Sequence, residues 1–265
     1  MASEDRRVVR AVHDEARSIA RGAKMMARAL GSGGRVFYLG AGTSGRLGVL
    51  EAAECPPTYG TDPSRIVALM AGGESAVFRA KEGIEDSKTA GEAALRARKP
   101  KGNDVVVGIT ASSLTPFVLG ALELARAKGA ATVLITCGPR ARGVADVVIA
   151  PRVGPEVLAG STRMKAGTAT KLVLNQMTLL AMLRLKKVFG PYMVDLKLTS
   201  AKLRDRALRM VERLAEVDRV AAEKLLATAK DDVKTAVVMG RLDLSLQEAT
   251  KRLSSVDHDL RRALR

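Results

Sequence analysis

The feature that most constrains the fold is the stretch 35–59. Val36-Phe-Tyr-Leu39 is an unbroken apolar run, Gly40-Ala-Gly-Thr-Ser-Gly45 follows it, and Leu47, Leu50 and Ala53 then recur at helical spacing up to Pro56-Pro57. An apolar run closed by glycine reads as a buried strand, and the later recurrence reads as a helix that the two prolines stop. A helix that starts this soon after a strand turns its unpaired N–H groups and positive dipole end toward whatever occupies the turn. Gly42, Thr43 and Ser44 stand at that point, and Glu54 lies near the far end of the helix.

Three ligand readings of this turn compete with a plain one, a glycine turn that only packs strand on helix. Gly40-x-Gly-x-x-Gly45 fits a dinucleotide fingerprint, but the next strand, 65–70, ends in Ala71-Gly-Gly73 instead of the acidic residue that a ribose requires. Gly40-x4-Gly45-Arg46-Leu47 misses the Lys and Ser/Thr of a nucleotide-hydrolase phosphate loop. The third reading is a sugar-phosphate pocket, in which amides and hydroxyls cup one phosphate.

The arrangement recurs. Residues 104–110 hold the unbroken apolar run Val105-Val-Val-Gly-Ile109, as in a central parallel strand, and run into Ala111-Ser-Ser-Leu-Thr-Pro116 and another helix. Ser112, Ser113 and Thr115 are a second set of donors at a helix start, beyond what one N-cap requires. Strands are also expected at 131–136 and 144–150, so the chain reads as a doubly wound parallel sheet. Two such turns at the carboxyl ends of neighbouring strands can converge on one ligand at a switch point.

The other segments read as helices. One is expected over 4–30, and one over 74–86 with Phe78, Ala80 and Ile84 inward and the carboxylates Glu82, Glu85 and Asp86 crowded together. Such a cluster is ordinarily an exposed helix end; the sharper alternative is that one carboxylate turns into a pocket. Residues 87–98 form an amphipathic helix. A long helix over 161–187, capped by Ser161 or Thr162, is apolar on most sides, which implies burial against the sheet or a second subunit. Residues 198–264 are helical only, with Asp218 and Ser245 as N-caps.

Composition narrows the class. The chain has 265 residues, 47% hydrophobic and 3% aromatic, enough for an aliphatic core. No signal peptide or membrane span is expected, which points to a cytoplasmic protein. Two cysteines and two histidines give no disulfide framework, metal cluster or histidine triad. The net charge of +16 is dispersed among acidic residues on helices, and with few aromatics this argues against nucleic-acid binding. The stretch 157–194 lacks Asp and Glu but holds Arg163, Lys165, Lys171, Arg184, Lys186 and Lys187, a region that tolerates an anion.

Several blocks occur in order over most of the chain: Gly40-Ala-Gly-Thr-Ser-Gly-Arg-Leu-Gly48, Glu54-Cys-Pro-Pro57, Ala71-Gly-Gly73, Glu82-Gly-x-Glu-Asp86, Val153-Gly-Pro-Glu156, Gly160-Ser-Thr-Arg-Met-Lys-Ala-Gly-Thr168, Lys171-Leu-Val-Leu-Asn175 and Met193-Val-Asp195. With these blocks the chain resembles the N-acetylmuramic acid 6-phosphate etherases of the sugar isomerase (SIS) domain superfamily. The resemblance implies an SIS-type, flavodoxin-like three-layer α/β domain over 1–197 and a small helical bundle over 198–265. It also implies cleavage of the D-lactyl ether by elimination and then hydration, with no metal and no cofactor, in a homodimer whose sites lie near the subunit interface. A carboxylic acid and a carboxylate are needed. By resemblance they are Glu54, protonating the departing lactate, and Glu85, the base at C2. The phosphate falls to Gly42, Thr43, Ser44, Ser112, Ser113 and Thr115, with Arg163 and Lys165 on substrate anions.

The chain departs from the family in places. Ser113 and Leu114 stand where the family usually has Gly-Arg, Ser200 where it has Asn, and Pro191-Tyr192 where it has Asn-Leu. The chain also begins later than is typical of the family. The rival expectation is a non-catalytic sugar-phosphate sensor resembling the glucokinase regulatory protein, which the altered turn favours and the retained Glu54 and Glu85 oppose.

Overall fold

The computed structural model describes residues 1–139 and 143–265. The chain divides into two compact units, Met1–Ala53 with Asp62–Ala181, and Glu54–Thr61 with Met182–Arg265.

The first unit is built on β1 (Val36–Gly40), β2 (Ile66–Met70), β3 (Val105–Thr110), β4 (Ala131–Thr136) and β5 (Val147–Ile149). All pairings are parallel, in the order β2-β1-β3-β4-β5. β1 and β3 are neighbours but not consecutive, so the winding reverses between them and a crevice opens at their carboxyl ends. Alternate residues face opposite layers. Phe37, Leu39, Val106 and Leu134 join one buried cluster with Phe117, Ala121 and Leu122. On the other face the Tyr38 hydroxyl lies 3.2 Å from that of Thr178. β5 is shorter than the sequence suggests because Asp146 meets β4 through side chains instead of a main-chain ladder: its carboxylate accepts from the Thr132 amide and hydroxyl, each at 2.8 Å, and its own amide donates to that hydroxyl at 3.1 Å.

The helix expected over 4–30 is two, α1 (Ala2–Asp14) and α2 (Ala16–Gly31). At Glu15 the amide bonds back to Val12, three residues away, and the four-residue ladder restarts with Ile19 donating to Glu15. The prolines do not stop α3 (Gly42–Tyr59), which runs on through Pro56 and Pro57. Their fixed φ suits a helix, and the cost is confined to two missing N–H donors near its end. The helix expected over 74–86 is only α4 (Ser75–Phe78) and a 3-10 turn (Ile84–Asp86), because Gly83 takes a left-handed φ of 75°. With the periodicity broken, Phe78 is 84% exposed and Ala80 is also exposed, contrary to expectation, while Ala76 is buried and Ile84 packs on the core.

Helices α5 (Lys88–Arg96) and α6 (Pro116–Ala127) cover one face of the sheet. They cross at reciprocal glycines: a Cβ on Gly91 would fall 1.8 Å from the Phe117 carbonyl oxygen, and one on Gly120 would fall 2.3 Å from that of Lys88. The long helix is α7 (Lys165–Arg184). Its start is capped by neither Ser161 nor Thr162 but by Glu156, whose carboxylate accepts from the Lys165 and Ala166 amides at 2.9 and 3.0 Å. An anion there complements the helix dipole.

The stretch without acidic residues is neutralised from elsewhere. Lys165, 1% exposed, donates to Glu4 of α1 at 2.6 Å, and Lys171 to Glu51 of α3 at 3.1 Å. The lysine holds the Glu4 carboxyl below the usual carboxylate range.

In the second unit, α8 (Ala201–Ala215), α9 (Arg219–Thr228), α10 (Val233–Leu242), α11 (Leu246–Ser255) and α12 (Leu260–Ala263) enclose their own apolar core. Asp218 and Ser245 are the expected N-caps, the latter in a capping box. Ser200 caps α8 by accepting from the Leu203 amide, a task that serine performs as well as asparagine. Asp195 joins Lys187 at 2.8 Å to the nearly buried Lys234 at 2.6 Å.

Two predictions follow from this packing. Gly91→Ala has no room between α5 and α6 and is expected to cost about 1–3 kcal/mol, read from the denaturant midpoint; an unchanged midpoint contradicts the crossing. Glu4 has a folded pKa below its unfolded one, so its stabilising effect is present above the unfolded value and lost as pH falls through the folded one. The melting-temperature gap between wild type and Glu4→Gln should be open at neutral pH and close below the ordinary carboxylate pKa of about 4.5. A gap that does not vary with pH contradicts the Glu4–Lys165 pairing.

Candidate active site

One residue, Ala41, separates β1 from α3. This is sterically feasible only because Gly40 and Gly45 touch: a Cβ on Gly45 would lie 2.7 Å from the Gly40 carbonyl oxygen. Gly42 opens the helix at a φ of +52°, a conformation that glycine adopts without strain. The first-turn amides of α3, which lack intrahelical acceptors, thus emerge directly at the end of β1 beside the Thr43 and Ser44 hydroxyls. The start of α7 closes in from one side, where a Cβ on Gly167 would rest 3.5 Å from the Thr43 methyl.

The end of β3 supplies the second set. The Thr110 hydroxyl bonds those of Thr115 at 2.6 Å and Ser112 at 3.4 Å, and Ser112 also accepts from the Leu114 amide. Thr115 precedes α6 without spending its side chain on the helix. These turns share a cavity of about 400 Å³ at the carboxyl ends of β1, β2 and β3. Gly42, Thr43, Ser44, Ser112 and Thr115 line it, and so does Thr162, which sequence reasoning had considered only as a helix cap.

Ser113 differs from its expected role. Its hydroxyl bonds Thr136 and donates to the Pro139 carbonyl, each at 2.7 Å, and it is buried beneath the turn instead of lining the cavity. It holds a left-handed φ of 70°, which costs a non-glycine residue about 1–2 kcal/mol. The two hydrogen bonds offset that strain. Leu114 beside it is 72% exposed and brings no charge.

The opposite wall comes from the segment after β2. Arg46, on the first turn of α3, donates to the carbonyls of Val77 and Ala76 at 2.7 and 2.8 Å and so ties this segment over the helix start. Ile84 packs on the sheet core and anchors the 3-10 turn. That turn brings Glu85, partly buried, to the cavity wall along with the more exposed Glu82, whereas Asp86 stays outside. Crowding in the sequence left the carboxylates open between an exposed helix end and a pocket, and the resemblance picked out Glu85; for Lys81, which also lines the cavity, nothing singled it out.

Three expected residues are not part of this wall. Glu54 is exposed on α3, and at 1.5 Å of rise per residue it lies about 18 Å along that helix from Gly42. Arg163 is exposed, and Lys165 is buried on Glu4. Among the described residues no group of His, Cys, Asp or Glu has the arrangement of a metal site. No described helix is long and apolar enough to cross a membrane. Burial, aided by the charge of Glu156, pushes the Cys137 thiol up to about 12, which disfavours the nucleophilic thiolate.

Known proteins share this architecture. The glucokinase regulatory protein N-terminal SIS domain matches residues 18–126, less than half of the chain. Among solved structures, the phosphoheptose isomerase from Neisseria gonorrhoeae superposes with a TM-score of 0.51 over 69% of this chain and 94% of its own, at 16% identity, a likeness of fold. The N-acetylmuramic acid 6-phosphate etherase of Salinibacter ruber is 50% identical over 221 residues, which cover 82% of this chain and 71% of that relative. The protein of the same name from Klebsiella aerogenes is 44% identical over 220 residues, 82% of this chain and 73% of its own. Identity at this level over this span answers the choice between etherase and regulator: the chain belongs to the N-acetylmuramic acid 6-phosphate etherase family.

Proposed function

We propose that this protein is a carbon–oxygen lyase that converts N-acetylmuramic acid 6-phosphate to N-acetylglucosamine 6-phosphate and D-lactate. The single observation that carries this reading is the cavity itself, in which a hydroxyl and amide cradle at a helix start stands opposite a carboxylate, Glu85. A cavity of about 400 Å³ suits a phosphorylated monosaccharide. Its neutral donors suit a phosphoryl group, because a helix start adds the favourable end of its dipole to direct hydrogen bonds.

In the open-chain sugar the C1 aldehyde acidifies the proton on C2. Glu85 takes that proton, the C3–O bond breaks with its electron pair leaving on the lactyl oxygen, and an acid protonates that oxygen. Water then adds across the resulting double bond, with its hydroxyl on C3 and a proton returned to C2. The acid is Glu54, contributed by the partner subunit of a homodimer, which reconciles its place far along α3 with its role. Leu179 and Leu183, each 43% exposed on α7, support a partner covering that helix. The reaction belongs in the cytoplasm, where sugar phosphates are held.

The test is D-lactate release from the phosphorylated muramyl sugar. Wild type is expected to release it, and Glu54→Gln and Glu85→Gln to be slower by about 10²–10⁴-fold. Mixing the two variants in equal amounts, after subunit exchange, should restore about one quarter of wild-type activity, because half of the dimers are mixed and each has one intact site. Absence of release by wild type sinks the etherase reading. Release with no recovery on mixing sinks the shared site.

A further inference from the structure

Among the described residues two cations line the cavity, and they are not equivalent. Arg46 is committed, since its guanidinium bonds the Val77 and Ala76 carbonyls. Lys81 is exposed, and its ammonium rests on neutral acceptors only, the Ser75 hydroxyl at 2.7 Å and the Gly72 carbonyl at 3.4 Å. Among the described residues no carboxylate pairs with it, whereas Lys165 and Lys171 of the same unit sit on Glu4 and Glu51. An ammonium parked on uncharged oxygens can move to an anion at little cost.

Position decides which anion. The hydroxyl cradle lies at the ends of β1 and β3, while Lys81 is tethered to Gly72 and Ser75, just after β2, on the far side of β1 from β3. It also directly precedes Glu82 and lies four residues from Glu85, on the carboxylate wall. A phosphorylated muramyl sugar carries two anions, the phosphoryl group at C6 and the carboxylate of the lactyl group at C3. With the phosphoryl in the cradle and C2 at Glu85, the lactyl group on the adjacent carbon falls on the Lys81 side.

We propose that Lys81 is a specificity-determining residue that binds the lactyl carboxylate and so distinguishes the ether substrate from phosphorylated sugars without a lactyl group. This rests on the etherase reading for the identity of the substrate, but its prediction concerns differential binding and is measured without turnover. Arg at this position would preserve the charge. Met preserves the stem that passes close over Gly72, where a Cβ would come within 3.3 Å of the Lys81 chain, and removes the charge alone.

The test is calorimetric, on the Glu85→Gln background so that the substrate persists. Lys81→Met should weaken binding of the phosphorylated muramyl sugar about 10–100-fold, the usual worth of one charged hydrogen bond, and leave that of N-acetylglucosamine 6-phosphate within about 2-fold. Lys81→Arg should restore most of the loss. With Glu85 present, the loss should appear in KM for lactate release more than in kcat. Equal weakening of both sugars would assign Lys81 to the phosphate, and no weakening of either would leave it a surface lysine; both results overturn the proposal. Selective weakening in a protein whose wild type releases no lactate would uphold Lys81 and refute the etherase reading. Failure of both sugars to bind the unsubstituted background overturns the two together.

Discussion

The backbone contact between Gly40 and Gly45 is the constraint on which the site depends. It lets α3 begin one residue after β1, so the first-turn amides stand at the mouth of the sheet instead of at the end of a loop. Any side chain at either glycine would drive the helix start away from the strand, and the amides, Thr43 and Ser44 would go with it. The parallel order β2-β1-β3 then adds the end of β3 on one side and the segment after β2 on the other. The cavity is thus a consequence of winding direction and of two missing Cβ atoms, and the chemistry is set by what the three strand ends carry.

What they carry divides by charge. The β1 and β3 ends present neutral donors, hydroxyls and amides, which hold an anion without a fixed counter-charge. The β2 side presents Lys81, Glu82 and Glu85, groups suited to proton transfer and to a second anion. Arg46 joins the sides by tying the β2 segment to α3 through main-chain carbonyls, a positioning task. The cations of 157–194 that looked free in sequence do not enter this scheme where their partners are seen: Lys165 and Lys171 serve Glu4 and Glu51, and Lys186 and Lys187 serve Asp257 and Asp195.

The strands and the two hydroxyl turns were legible because their signals are local: apolar runs ended by glycine, and Ser or Thr at helix starts. Asp218 and Ser245 were legible as caps for the same reason. What was not legible involved distant partners. Nothing near Lys165 in sequence points to Glu4, and nothing near the start of α7 favours Glu156 over Ser161 as its cap. Ser113 looked like a third phosphate donor by its neighbours, and only its left-handed backbone and its bonds to Thr136 and Pro139 turn it inward. Pro56 and Pro57 were read as a stop, although fixed φ values continue a helix whose end is already near. Glu85 was singled out by the family resemblance, since the crowding of its segment alone read as an exposed helix end, and its exposure to the cavity depends on Ile84, whose anchoring no short motif records.

The account stands on where the phosphoryl group sits. The most direct measurement is a crystal structure of the protein with N-acetylglucosamine 6-phosphate. It should place the phosphorus within hydrogen-bonding reach of the Thr43, Ser44, Ser112 and Thr115 hydroxyls and the first-turn amides of α3, with C2 turned toward Glu85. A phosphoryl group bound instead on the lysines and arginines of the surface, or a sugar lying outside this crevice, would contradict it.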